Sequence, residues 1–351
     1  MAENSINQKD LIVLVEKVNK GTLPDGLKET VMIRLEQLQK MVDSPAFMPE
    51  YDRMAKYVEW IIRVPWEKKT EDNLDLENAR KVLDSHHYGL GEIKDRILEY
   101  LSVMKLKKEK GESEDIARAP ILFFVGLVGT GKTTIAVSIA EAMGRKFERI
   151  AFGGMGDPLD LRGLSKMHAE AEPGKVIKAL VDAQCKNPVI LLDEIDRVTE
   201  QGRSSIMGVL VELLDPKQNH AFSDHYIDYP VDLSQCLFIG TANNTNNIAT
   251  AVMDRLEPLQ MPSYTDQEKI TIAQKYVFPE KMRMAGLPTG TLQISDETWP
   301  LIVRPLGYDS GIRTLERTID GVVRKVARMI VEGKTKEMVL TPENIRQLLP
   351  Q

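Results

Sequence analysis

Apolar residues in this chain recur with two different spacings, and each spacing predicts a different kind of element. Near the N-terminal end, Leu27, Val31, Leu35 and Leu38 share one helical face after the break Leu23-Pro24-Asp25-Gly26. Residues 1–70 read as helical, with a helix at about Tyr51–Arg63 that stops near Val64-Pro65-Trp66. They carry no catalytic constellation and read as packing surface. Residues 67–78 are charged and loop-like. Two helices, Asn78–Asp84 and Gly91–Lys108, then flank His86-His87-Tyr88-Gly89-Leu90, and Lys105 to Asp115 reads as a solvated loop. From residue 121 the spacing changes. Short apolar runs at Ile121–Val125, Phe147–Phe152, Pro188–Leu192 and Leu237–Ala242 predict buried strands. Helical stretches follow at Thr134–Ala140 and Val176–Gln184, while Gly153–Gly174 reads as loop with a short helix. Asp254-Arg255 falls on a predicted helix. From Thr265 the pattern turns all-helical, including a helix over Thr314–Glu332 opened by Gly311-Ile312-Arg313. Strands alternating with helices imply an α/β fold with a doubly wound parallel sheet and a ligand at the strands' C-terminal ends.

The first strand leads into Gly126-Leu127-Val128-Gly129-Thr130-Gly131-Lys132-Thr133, and a helix begins after it at Thr134. This is the phosphate-binding pattern G-x-x-x-x-G-K-[ST] in the strand–loop–helix context it requires. The glycines let backbone N–H groups curl around a polyphosphate, and the helix N-terminus adds partial positive charge. Lys132 would reach the β- and γ-phosphates of ATP, and the Thr133 hydroxyl would hold Mg²⁺. The third strand ends in Asp193-Glu194. There Asp193 can hold Mg²⁺ through its water shell, and Glu194 can activate the attacking water. Asn243, after the fourth strand, could orient that water or touch the γ-phosphate, or be a turn-forming Asn. Arg255 could be a surface ion-pair partner or an arginine lent to a neighbouring subunit's ATP. Arg313 could point back at the nucleotide. His86 and His87 are adjacent and lack a completing Cys or carboxylate, so they do not read as a metal site.

At 351 residues the chain can hold two or three domains. A net charge of −6 with 28% charged residues argues against an electrostatic nucleic-acid binder. Cys185 and Cys236 have neither metal nor disulfide spacing and read as core thiols, which favours a cytoplasmic setting. No signal peptide is apparent, and no apolar run approaches the ~20 residues of a membrane span.

Several stretches resemble the ATPase module of the Lon family of AAA+ ATP-dependent proteases. They are Tyr88-Gly89-Leu90 with Lys94–Leu101, Leu191–Asp196, Leu214–Asn219, Phe222–Tyr226 and Gly311–Arg317, with Val64-Pro65-Trp66 ahead of them. The resemblance runs from about residue 10 to the end. It implies an AAA+ P-loop NTPase with an N-terminal helical segment (1–75), an α/β nucleotide-binding subdomain (76–264) and a C-terminal helical lid (265–351). It further implies sensor roles for Asn243 and Arg313, an arginine finger at Arg255, a homo-hexameric ring acting on polypeptide, and an adenine pocket near Tyr88-Gly89-Leu90. Three departures accompany it. Lon carries a Ser–Lys protease domain after this module and a globular β-rich N-terminal domain, and neither is expected in this chain. Leu127-Val128 replace two prolines of the family's P-loop, which loosens the loop by a few tenths to ~1 kcal/mol. In the substrate-gripping loop, Met167-His168-Ala169 carries His and Ala where Lon has an aromatic–aliphatic pair. An ATP-driven motor is therefore the leading expectation. The alternative is an ATP-dependent assembly or switch protein with little threading; a DNA-associated ATPase is disfavoured by the acidic charge.

Overall fold

The computed structural model describes residues 2–111, 121–168, 170–304 and 311–349. Three helices open the chain: α1 (Ala2–Lys20), α2 (Asp25–Gln39) and α3 (Phe47–Arg63). The stripe Leu27, Val31, Leu35 and Leu38 is buried, as its spacing requires. Helix α3 starts one turn earlier than expected because Phe47 is itself buried. It stops where Val64 turns extended ahead of Pro65, whose ring disfavours a helical neighbour. The apolar core of these helices is continuous with one face of the central sheet. Tyr57 ties the two, its hydroxyl donating to the Ile227 carbonyl at 2.9 Å. The loop that follows is pinned by charge: Arg145 sends Nε and Nη2 to the two oxygens of Asp72, both at 2.7 Å.

Helix α4 (Leu76–His86) is capped by Asp75, which accepts from the Glu77 N–H. Helix α5 (Gly91–Glu109) ends one residue past the expected Lys108, so where the expected helix and the expected loop overlap, at Lys105–Lys108, the chain is helical. Buried Leu101 and Met104 carry the helix on, and Lys-Leu-Lys-Lys adds good helix formers. Residues 112–115 of that expected loop lie outside the described residues.

Next come β1 (Ile121–Val125), α6 (Lys132–Met143), β2 (Phe147–Ala151), α7 (Leu159–Arg162), α8 (Lys175–Ala183), β3 (Val189–Asp193) and α9 (Arg203–Leu214). A small antiparallel pair, β4 (Phe222–Ser223) and β5 (Pro230–Val231), precedes β6 (Leu237–Ala242), α10 (Thr250–Met253) and β7 (Leu256–Gln260). The five long strands form a parallel sheet in the order β2-β3-β6-β1-β7. Alternate residues serve opposite faces: Phe123 and Ile190 face the side of α8 and α9, while Phe124 and Leu191 face α4, α5 and α6. Strand β7 was not expected. Glu257 and Pro258 break its apolar run, and a proline is tolerated there because β7 is an edge. Helix α10 ends at Met253, so Arg255 lies just beyond it and leads into β7 instead of sitting on a helix.

The C-terminal part contains α11 (Asp266–Ile272), a π-helical turn (Ala273–Val277), α12 (Phe278–Met284), β8 (Leu292–Ile294), α13 (Trp299–Val303), α14 (Arg313–Val331) and β9 (Met338–Leu340). It is not all-helical, because β8 and β9 pair in parallel. Strands of three residues are too short to show a period-two pattern. Their Leu292 and Leu340 join Trp299, Leu315 and Val322 in a separate core.

Candidate active site

The strand order decides where the chemistry gathers. Strands β1, β6 and β3 are neighbours, so their C-terminal ends bring the glycine loop, Thr241 with Asn243, and Asp193 side by side. The loop turns through Gly129 (φ +82°) and Gly131 (φ +95°), conformations that side chains resist. Helix α6 begins at Lys132 with no side-chain cap, leaving its first N–H groups directed at the cleft. The Lys132 ammonium donates to the carbonyls of Gly126 (2.6 Å) and Leu127 (2.9 Å) and to Asn243 Oδ1 (3.2 Å). Burial lowers its pKa, and the nearby carboxylates of Asp193, Asp196 and Glu194 pull the other way.

Asp193 is buried and held from two sides. Thr241 Oγ1 donates to its Oδ1 at 2.5 Å, and Thr133 Oγ1 stands 3.5 Å from the same oxygen. Arg149, from β2, places Nε at 2.7 Å and Nη2 at 2.6 Å from Oδ2. Glu194 takes a left-handed conformation (φ +57°), fixed by its N–H donating to Thr241 Oγ1 at 2.9 Å. Its Oε2 lies 3.5 Å from Arg197. Asp196 Oδ2 accepts from the backbone N–H of Asn243 at 3.1 Å and of Asn244 at 3.3 Å. Among the described residues, Asn243 Nδ2 and Asp196 Oδ1 are buried without a protein partner. A buried amide left unpaired is costly, so this corner is built for a polar ligand or water.

The far wall comes from α14. Arg313 and Glu316 line the cleft together with Val128, Gly129, Gly131, Lys132, Thr133, Thr134, Asp193, Glu194 and Asn243. Burial raises the pKa of Glu316. The Ile312 N–H donates to Gly129 O at 3.0 Å, and the Tyr264 hydroxyl donates to Thr130 O at 3.2 Å. A roomier groove of about 550 Å³ lies between α2, α3 and Met167. It has no phosphate cradle and no acidic pair, so the narrower cleft is the chemical site.

Residues 122–263 match the pattern of the ATPase family associated with various cellular activities, and residues 283–339 that of the Lon protease AAA+ ATPase lid domain. The Lon protease of Lawsonia intracellularis is 44% identical over 333 residues, covering 95% of this chain and 39% of that protein. Lon protease of Elusimicrobium minutum is 41% identical over 342 residues (97% of this chain, 40% of that one). Lon protease 2 of Thermus thermophilus is 40% identical over 338 residues (95% and 42%). The chain carries the ATPase module of the Lon family. It spans about two-fifths of the length of the curated relatives it matches.

The match to the AAA family implies that this Lon-type module binds nucleotide, and one cleft unites the glycine loop with Asp193, Glu194, Asn243 and Arg313. Three expected residues or groups are not among the residues that line it. Arg255 donates through Nη2 to Asp215 Oδ2 at 2.7 Å and through Nη1 to Ala251 O at 2.6 Å. Tyr88 packs on the lid core and Leu90 on the core beneath α6, with Gly89 (φ +65°) and Leu90 (φ +55°) both left-handed between them. Met167 is 79% exposed and His168 is exposed; Ala169 lies outside the described residues. His86 Nδ1 and His87 Nε2 both meet Ser138 Oγ, at 3.0 and 2.9 Å. No cluster of three or more metal-ligating side chains occurs among the described residues. Arg149, Thr241 and Asp196 went unnoticed in the sequence. A charged residue within the short strand Phe147–Ala151 was the signal for Arg149, and strand period two from Asn243 was the signal for Thr241.

Proposed function

We propose that this Lon-type module is an ATP-hydrolysing motor that binds Mg²⁺–ATP in the cleft and, as a homo-hexameric ring, unfolds or remodels polypeptides. The observation that carries the proposal is the meeting of the glycine loop with Asp193, Glu194 and Asn243 on adjacent strand ends. The uncapped α6 N-terminus, the left-handed glycines and the unpaired Asn243 amide fit a polyphosphate. Asp193 and the Thr133 hydroxyl are the residues that would hold Mg²⁺. Bound there, the ion supplies charge neutralisation to the phosphate oxygens. Lys132 leaves its loop carbonyls for the β- and γ-phosphates, with Gly126 to Thr134 cradling the chain of phosphates. Glu194 accepts the proton of the attacking water, and Asn243 orients that water. Arg313 from the lid and Arg255 from a neighbouring subunit offset the charge that develops on the phosphoryl group. Tyr88, Gly89 and Leu90 receive the base. We divide the module at residues 75 and 264, and place it in the cytoplasm.

A second reading, an ATP-dependent switch, draws on the substrate loop: His168 and Ala169 stand where the family carries an aromatic–aliphatic pair, beside a Met167 that is 79% exposed. Calorimetric nucleotide binding with Lys132→Ala tests the site, and loss of binding is expected. Turnover stimulated by an unfolded polypeptide separates the two readings. Stimulation supports the motor; slow, unstimulated turnover with intact rings leaves the switch.

A further inference from the structure

Arg149 is a cation built onto the residue that would hold the metal. It sits on β2, the edge of the sheet, where its neighbour Ala151 pairs with Asp193 in register. Two residues back along the same face, the Arg149 side chain reaches forward and puts both N–H groups on Oδ2 of Asp193. The other oxygen, Oδ1, is left to Thr241 and faces the Thr133 hydroxyl on the glycine loop. The carboxylate is therefore divided between a permanent cation on one oxygen and the phosphate cradle on the other. Asp193 itself is 5% exposed, whereas the Arg149 side chain is 51% exposed. A half-exposed guanidinium is not needed to fill the core. What it brings to Asp193 is positive charge on Oδ2.

We propose that Arg149 sets the Mg²⁺ requirement of nucleotide binding, by neutralising part of the Asp193 charge that attracts the ion. The proposal rests on the reading that Asp193 holds Mg²⁺. A like charge near the metal weakens its attraction, though solvent screening at a half-exposed group keeps the effect modest. Arg149 also fixes the carboxylate plane, and that would act in the opposite direction. The ion carries two charges, so the electrostatic effect prevails.

The test is the Mg²⁺ concentration at half-saturation of binding of a fluorescent ATP analogue, read by anisotropy without turnover. Arg149→Gln is expected to lower that midpoint by roughly threefold to tenfold. Arg149→Lys, which keeps the charge but loses the fork, is expected to stay near the unaltered protein. Arg149→Met repeats the measurement if the Gln variant folds poorly, since it keeps the aliphatic stem. An unchanged midpoint in both neutral variants overturns the proposal. So does a raised midpoint, which would make Arg149 an orienting clamp. Asp193→Asn keeps the two failures apart. If the unaltered protein binds the analogue with no Mg²⁺ dependence, or if Asp193→Asn keeps that dependence, the metal assignment falls and this proposal with it.

Discussion

Replacing Glu194 with Gln should separate chemistry from binding. The amide is nearly the same size as the carboxylate but cannot take a proton from water. A positioned general base is worth about 10²–10⁴ in rate, which corresponds to about 3–5 kcal/mol on the barrier. The structure indicates how little else would change. Glu194 owes its left-handed backbone to the hydrogen bond from its own N–H to Thr241, which the substitution leaves in place. Its ion-pair partner among the described residues, Arg197, stands 3.5 Å away with half of its side chain exposed. Such a pair contributes at most about 1 kcal/mol to stability. The expected outcome is therefore a turnover rate down by at least about a hundredfold, nucleotide affinity within about threefold, since that bound corresponds to less than 1 kcal/mol, and a nearly unchanged melting temperature. Steady-state phosphate release, paired with calorimetric titration of ATP, measures the first two. A variant that turns over at the unaltered rate would remove Glu194 from the role of base. A variant that instead loses nucleotide binding would show that the carboxylate serves the cradle.

Arg255→Ala should cost little stability, because it removes a part-exposed pair with Asp215, yet lower turnover strongly at near-constant ATP affinity. Mixing it with Glu194→Gln should restore some turnover; an inactive mixture of demonstrably mixed rings rules out the in-trans role. In the substrate loop, His168→Tyr with Ala169→Ile should raise polypeptide-stimulated turnover, while Met167→Ala should change it little. Abolished stimulation in Met167→Ala would make the 79% exposed Met167 the gripping contact instead. Acid should loosen the fold through His87. Burial, helped by His86 and Lys94, pushes its pKa from 6.5 down to about 4, against a hydrogen bond to Thr134. A base held neutral in the fold leaves the unfolded chain to take the proton first. Stability present at neutral pH is then lost as pH falls from 6.5 toward 4, by about 2 kcal/mol at pH 5. Melting curves at pH 7 and pH 5 should show that gap narrowing in His87→Gln, and an equal gap would clear His87.

The glycine loop and the acidic strand end were legible because each combines a residue pattern with a required context. Four of the five strands of the sheet were legible as apolar runs for the same reason. Strand β7 was hidden because Glu257 and Pro258 interrupt its run, and β8 and β9 because three residues give no period. The polar ties of the site were harder to see. Arg149, Thr241 and Asp196 act across strands, and only the sheet order reveals which chain segments become neighbours. Arg255 shows the converse: the sequence left open a surface ion pair or a neighbouring subunit's ATP without naming a partner, and within the chain the fold pairs it with Asp215.

The two hydrogen bonds that join the glycine loop to the lid have a mechanical consequence. Ile312, at the foot of α14, holds the Gly129 carbonyl, and Tyr264 holds that of Thr130. Helix α14 is 19 residues, a rigid rod of about 28 Å. Its foot is fastened to the loop whose Gly126 and Leu127 carbonyls Lys132 would release on the proposed binding of ATP. A displacement of the loop would therefore be passed to the foot of α14, whose packed core face would carry it along the helix as one body toward Val331. Val331 is 88% exposed, so a shift of the helix would surface there.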